Sequence, residues 1–423
     1  MTEKIIPVLL LLFFGVLTPL RAEQSPLTLS QCVREARKAH PDLSSALAAL
    51  QQAEADKRIS GGVLFPQVSA SLSAAQSGST RQDAGSASAF SYAIKAKQLL
   101  YDGQKTSKQV AAYGESLSAA RQNYREVSAE VRYALRSAFA DLLKAQDLVG
   151  LAREIAERRK KNLRMITLRY QAGREHIGSL RKAEADLAEA QFEVSRAGRE
   201  LVLAQSILAS TLGRNLREPL RVAGSFTVSA SFAQKPDLPQ LARNSPQVQQ
   251  LEAKRKAARY DLDASKGAFS PELYLTSSVG RSSYDRWPPD EVDWNAALEV
   301  ALPIYGGGTG RARVAKAMAV LSQRNAEEKS GYLLALDTLE ECWKVFADAR
   351  EYLAVRRQYL DASVERSLIA GAQYSNGLIS FNEWVIIEDN LVNAKKQFLD
   401  AEAELLEAEA KWIQAKGGGL DEE

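Results

Sequence analysis

The sequence predicts a mainly α-helical chain with a membrane β-barrel element, built from two copies of a strand-strand-long-helix unit. Three observations carry that prediction: an internal duplication, two long proline-free stretches with coiled-coil periodicity, and four short segments that alternate apolar with polar residues.

The elements are justified in chain order. Lys4, an apolar run over residues 5–17 and the small Ala22 have the layout of a secretory signal, 1–22, too short to span a bilayer. Cys32 lies ten residues beyond Ala22 (32 − 22), out of reach of lipidation at the cleavage point. The chain is therefore expected to be exported without a lipid. Its 423 residues are 45% hydrophobic and 25% charged, enough to bury a large core and too polar for a helical membrane protein. A net charge of +3 without any dense Lys/Arg block excludes nucleic acid as a partner.

The duplication sets the organisation. "KAHPDLSSALAALQQAEADKRISGGVLFPQVSASLSA" is echoed by "RNSPQVQQLEAKRKAARYDLDASKGAFSPELYLTSSVG", with Pro41 and Pro246, and Pro66 and Pro271, both 205 apart. "LLYDGQKTSKQV" corresponds to "PIYGGGTGRARV" and "RYQAG" to "QYSNG", so that Tyr101 and Tyr305, like Gly173 and Gly377, are 204 apart. The halves are 23–219 and 220–416, followed by a polar tail, 417–423.

Each half opens with a strand pair, about 66–76 with 88–100 and about 271–281 with 292–303. Val68, Ala70, Leu72 and Ala74 alternate with Gln67, Ser69, Ser71 and Ser73, and the other three segments repeat the pattern. About ten residues is the length of a tilted membrane-crossing strand. The polar faces, carrying Lys95, Lys97, Glu272, Asp293 and Glu299, are then expected to line water, and Phe90, Tyr92, Trp287 and Trp294 to form an interfacial belt.

The helices follow. All thirteen prolines lie at or before Pro66 or between Pro219 and Pro303, which frees two long stretches for helix. Val110, Tyr113, Leu117, Ala120, Tyr124, Val127, Val131, Ala134 and Ala138 form a seam of alternating three- and four-residue steps, resuming after a stutter at Leu142, Ala145, Val149 and Ala152. Leu135, Phe139 and Leu143 form a second stripe beside it. Tyr332, Ala335, Leu339, Cys342, Phe346, Ala349 and Leu353 repeat the seam. "YQAGREHIG" and "YSNGLIS" supply the glycine of a left-handed helix end, so each half is a helical hairpin, about 105–212 and about 308–415.

Chemistry is absent from this pattern. His40 and His176 stand alone and read as surface residues, Cys32 and Cys342 are 310 apart with no disulfide expected, and there is no P-loop, nucleophile elbow or dinucleotide fingerprint. No catalytic residue, metal site or cofactor is expected. Four strands cannot close a barrel, and open edges in lipid are prohibitive, so the strands must be completed by further copies of the chain.

Together with the duplication, "LTLSQCVREARKAHPDLSSALAAL", "QLLYDGQ", "RYQAG", "LASTLGRN" and "YSNGLISFNEWVIIEDNLVNAKKQ" resemble the TolC-type outer-membrane efflux protein family over essentially the whole mature chain. The resemblance implies a homotrimer sharing a 12-stranded barrel in outer-membrane lipid, and a periplasmic α-helical barrel. The connector after "GRN" and the C-terminal tail would lie around its equator. It implies an exit duct joined through a periplasmic adaptor to an inner-membrane pump of resistance-nodulation or ABC type, carrying drugs, metal ions or, in type I secretion, proteins. A non-transport coiled-coil protein anchored at the surface is the other reading, disfavoured because an anchor needs no polar strand face. The resemblance also places adaptor docking at the tip residues Gly173, Gly377 and Leu378, with Arg174 a departure from the usual small apolar residue. It places an acidic constriction at Glu383, three copies of which would raise one another's pKa by repulsion. Tyr374 matches a tyrosine of the closing contacts, while Ile386, Ser179 and Ile379 stand where charged partners are usual, implying a weaker lock.

Overall fold

The computed structural model describes residues 26–78, 87–215, 219–228, 234–284 and 286–422. The expected signal, 1–22, lies outside the described residues. The element order is α1 (Leu29–Ala39), α2 (Pro41–Gly62), β1 (Gln67–Ser77), β2 (Ala87–Tyr101), α3 (Lys105–Gln171) and α4 (Ile177–Thr211). It repeats as α5 (Leu238–Asn244), α6 (Pro246–Gly267), β3 (Glu272–Tyr284), β4 (Glu291–Ala301), α7 (Thr309–Ser375) and α8 (Phe381–Ala415), with a closing 3-10 turn at Leu420–Glu422. The duplication is kept to the residue. α3 and α7 have 67 residues each, α4 and α8 have 35, and α2 and α6 have 22.

The strands form one antiparallel sheet, ordered β1-β2-β3-β4. Its register aligns like with like. Ala70, Ile94, Val279 and Trp294 share one row, while Ser69, Lys95, Ser278 and Asn295 share a row of the opposite face. A one-residue slip anywhere would mix the two faces. The apolar face is bare in the single chain, with Leu72 at 72% and Trp294 at 78% exposure. Arg281 is its exception, in the row of Leu72, Tyr92 and Val292. Trp287 meets Phe90 and Tyr92 edge-on at 6.0 and 6.5 Å, making the aromatic group at the β3–β4 end. Trp294 sits in mid-register and does not join it. β3 runs on to Tyr284 because it pairs with Ala89 of β2. β4 stops at Ala301 because Pro303 has no donor and restricts Leu302 before it.

At ~1.5 Å per residue α3 and α7 are each on the order of 100 Å long. No helix among the described residues is long and apolar enough to cross a membrane. Two equivalent cores hold the helices together. In the first, Leu135, Ala138, Leu142 and Leu208 pack with Cys32, Leu212 and Leu220. In the second, their counterparts 204 residues on, Leu339, Cys342, Phe346 and Trp412, pack with Leu238 and Val248. The seam of α3 departs from expectation at Ala134, which is exposed, and the Leu135/Phe139/Leu143 stripe carries the packing there. A 3.6-residue helix drifts against a 3.5-residue repeat, so contact passes to the neighbouring stripe.

The connector and the C-terminus close the middle. Leu27 bridges Val222 in parallel, and Gln146 holds Val222 through both its donor and its acceptor at 3.0 Å. The tail is not simply polar: Leu420 is 3% exposed in the first half's core, and its N–H donates to Ser128 Oγ at 3.1 Å. Both cysteines are free and buried, in different cores. Burial, reinforced by Glu35, pushes the Cys32 thiol up to about 11.

Candidate functional site

Two regions carry polar chemistry: the hydrophilic sheet face and the hairpin tips farthest from it. On the sheet, Lys95, Lys97, Glu272, Asp293 and Glu299 all fall on the polar face, since each lies on the opposite parity to its strand's apolar series. They are not equivalent. Glu272 accepts from Lys105 Nζ at 2.9 Å and from the Tyr274 hydroxyl at 3.0 Å. Lys97 Nζ lies over the Tyr274 ring at 3.9 Å, a cation–π contact. Asp293 accepts from Ser282 Oγ.

At the tips, α3 and α7 end on Gly173 (φ +72°) and Gly377 (φ +75°), left-handed positions that an L side chain rarely adopts. The following N–H groups turn back onto the helix, Arg174 to Arg169 O at 2.8 Å and Leu378 to Gln373 O at 2.9 Å. That geometry throws Leu378 outward, and it is 73% exposed.

Glu383 is the third residue of α8, and the sequence contains its explanation. In "SFNE", Ser380 Oγ accepts from Glu383 N–H at 3.2 Å while Glu383 Oε2 accepts from Ser380 N at 2.8 Å and Ser380 Oγ at 2.9 Å, a capping box. These hydrogen bonds hold the Glu383 carboxyl below the usual carboxylate range in the single chain. It remains exposed. Tyr374, the expected member of the closing contacts, is 1% exposed in the single chain. Its ring stacks on Trp384 at 4.7 Å within a tip core containing Ile166, Ala183, Phe381 and Val385. Its hydroxyl donates to Glu175 Oε1 at 3.1 Å, and Arg169 lies against its ring, so it ties the α7/α8 hairpin to the α3/α4 hairpin. Burial first, then the Glu175 charge, pushes that hydroxyl well above its ordinary range.

A second tie escaped the sequence reading. Arg158 of α3 donates to both carboxylate oxygens of Glu388 on α8, at 2.5 and 2.9 Å, and to Ser367 Oγ on α7, while Ser367 Oγ donates to Glu388 at 2.6 Å. Glu388 is 2% exposed. Burial pushes its carboxyl up, but the hydrogen bonds to Arg158 and Ser367 outweigh this and hold it below the usual range. The available signal was a charged residue, Glu388, one helical turn from the apolar Trp384 and Val385 and facing the partner helix. His176 is exposed as expected, whereas His40 is partly buried. Both are helix N-caps, His40 Nδ1 accepting from Asp42 N–H at 3.2 Å and His176 Nδ1 from Ser179 N–H at 3.3 Å, and the His40 side chain is only 11% exposed.

The family described as "Outer membrane efflux protein" matches residues 32–214 and 238–418, one segment per half. Cation efflux system protein CusC of Escherichia coli O157:H7 is 24% identical over 416 residues, covering 92% of this chain and 86% of its own. Outer membrane efflux protein BepC of Brucella suis is 23% identical over 384 residues, covering 87% and 82%. The open state of the Neisseria gonorrhoeae MtrE outer membrane channel superposes with a TM-score of 0.83 at 19% identity, covering 93% of this chain and 90% of that one.

Proposed function

The chain belongs to the outer membrane efflux protein family, and on that premise we propose that three copies form the exit duct of a tripartite efflux or secretion system. The outer membrane and efflux follow from membership; the stoichiometry, the adaptor and the pump are the proposal. The observation that carries it is the one-sided sheet of four strands, apolar on one face, polar on the other and unpaired at both edges. In lipid every backbone N–H and C=O must be bonded, so β1 of one copy has to pair with β4 of the next until the sheet closes. Twelve strands close with the polar face inward, and the helices then continue the wall on one side as a conduit. The surface-anchored coiled-coil reading has no observation in its favour.

A detergent-stable trimer is the expected solution species. Light scattering of detergent-extracted protein checks it, and a monodisperse monomer with full β content would contradict the assembly.

In such a trimer Leu378 is the tip residue an adaptor would bury, and Glu383 stands just inside the tip. Glutamine also serves at the third position of a capping box, so Glu383→Gln removes charge and keeps the cap. If the three carboxylates narrow the entrance and concentrate cations, this variant raises basal conductance in a planar bilayer and lowers cation preference. Unchanged conductance and reversal potential would leave Glu383 as a capping residue alone.

A further inference from the structure

From the register of the sheet we infer that Lys95 and Lys97 form an anion-binding collar inside the barrel, a local site for multivalent oxyanions. The inference rests on the trimeric reading above, in which two lysines per chain become six around one axis.

The register keeps carboxylates out of the rows that hold these lysines. In their two rows the neighbours on the polar face are Gln67, Ser69, Thr276, Ser278, Asn295 and Ala297, none of them charged. The carboxylates of the same face lie outside these rows and are engaged elsewhere in two cases: Asp293 by Ser282, and Glu272 by Lys105 and Tyr274. Glu299 stands opposite Tyr274, beyond the row of Lys97. Lys95 is exposed with no ion pair among the described residues, and the Lys97 ammonium lies over the Tyr274 ring, near enough to Glu272 to interact with its charge. Rows of one face are ~7 Å apart along a strand, so the charged bands alternate: Glu291 and Asp293 toward one end, the lysines in the middle, Glu299 and Glu272 toward the helices.

The dimensions let the collar act across the whole lumen. Twelve strands about 4.8 Å apart and tilted by about 40° close on a backbone radius of roughly 12 Å. Each lysine carries its ammonium on a four-carbon stem toward the axis. The axis is then within the ~8 Å Debye length of physiological salt, so a permeant level with the collar has all six ammoniums nearest to it and the carboxylate bands about 7 Å farther along the lumen. The Lys95 ammonium is exposed and the Lys97 ammonium has one side on the Tyr274 ring, so an oxyanion with several charges can contact more than one of the six.

The test uses the full-length protein as single channels in a planar bilayer, with inorganic tripolyphosphate added to one side at a time. Conductance is expected to be blocked in wild type, from the barrel side at the lower concentration, with the blocking concentration raised at least tenfold in Lys95→Gln/Lys97→Gln and nearly unchanged in Lys95→Arg/Lys97→Arg. Equal block in wild type and the glutamine variant, or no block in wild type, would overturn the collar. Wild type alone gives a second reading. Raising KCl from 0.1 to 1 M shortens the Debye length from ~10 to ~3 Å and should abolish the block, whereas salt-independent block would contradict an electrostatic site. Trimers that conduct without block refute the collar only; failure to isolate trimers refutes the assembly, and the collar with it.

Discussion

Leu378→Asp is expected to abolish efflux while leaving the yield of trimer unchanged. Leu378 is 73% exposed, and its own chain uses only its backbone, through the N–H donated to Gln373 O at 2.9 Å. A substitution there removes nothing from the tip core, which is built from Ile166, Tyr374, Phe381 and Trp384. What it removes is an apolar contact with a docked partner, worth about 1.5–3 kcal/mol for a fully buried leucine, and it adds the cost of burying an unpaired carboxylate. In the proposed trimer the three equivalent tips would compound these losses, since the sites act through one multivalent contact. The readout is substrate export by cells that depend on this duct, alongside trimer abundance in their outer membranes. Full efflux with aspartate at this position would exclude docking through Leu378. The first tip carries Arg174 and Glu175 after its glycine, and Glu175 is engaged by Tyr374, so no equivalent substitution is expected to act there as strongly.

Arg158→Ala should loosen the tip without unfolding the rest. Removing one partner of a buried ion pair costs about 3–5 kcal/mol, reduced here to on the order of 2 kcal/mol because the Arg158 side chain is 37% exposed and water can reach the vacated place. The effect is local, because Glu388 and Ser367 join α3 to α7 and α8 on the tip side of the central cores. Hydrogen exchange of the α8 amides around Glu388 is expected to accelerate roughly tenfold or more, with the amides around Trp412 unaffected. The same contact predicts a pH dependence. The Glu388 carboxyl is depressed in the folded protein, so its contribution is fully present above the ordinary value near 4.5 and is lost as pH falls through the lower folded value. Wild-type tips should therefore open faster below about pH 4, and Arg158→Ala should already behave this way at neutral pH. An exchange rate at Glu388 equal in both proteins at pH 7 would show that the tie carries no stability.

The sequence by itself determined the duplication, the hairpins, the two glycine turns and the two faces of every strand. These are local: proline placement, a 3.5-residue repeat and a period of two act within a few residues, and each is legible without knowing what lies opposite. Glu383 was partly legible, since "SFNE" is a capping box as well as an acidic position. Only the tertiary structure decided that Tyr374 is a buried tie, that Arg158, Ser367 and Glu388 meet across three helices, that Leu420 returns to the first half's core, and that Lys95 and Lys97 share rows free of carboxylates. Those facts depend on which residues some 200 positions apart come into contact. Along a helix a buried glutamate looks like a solvated one until the partner helix and its arginine are in place, and the periodicity that builds each helix does not encode the rotation at which two of them pack.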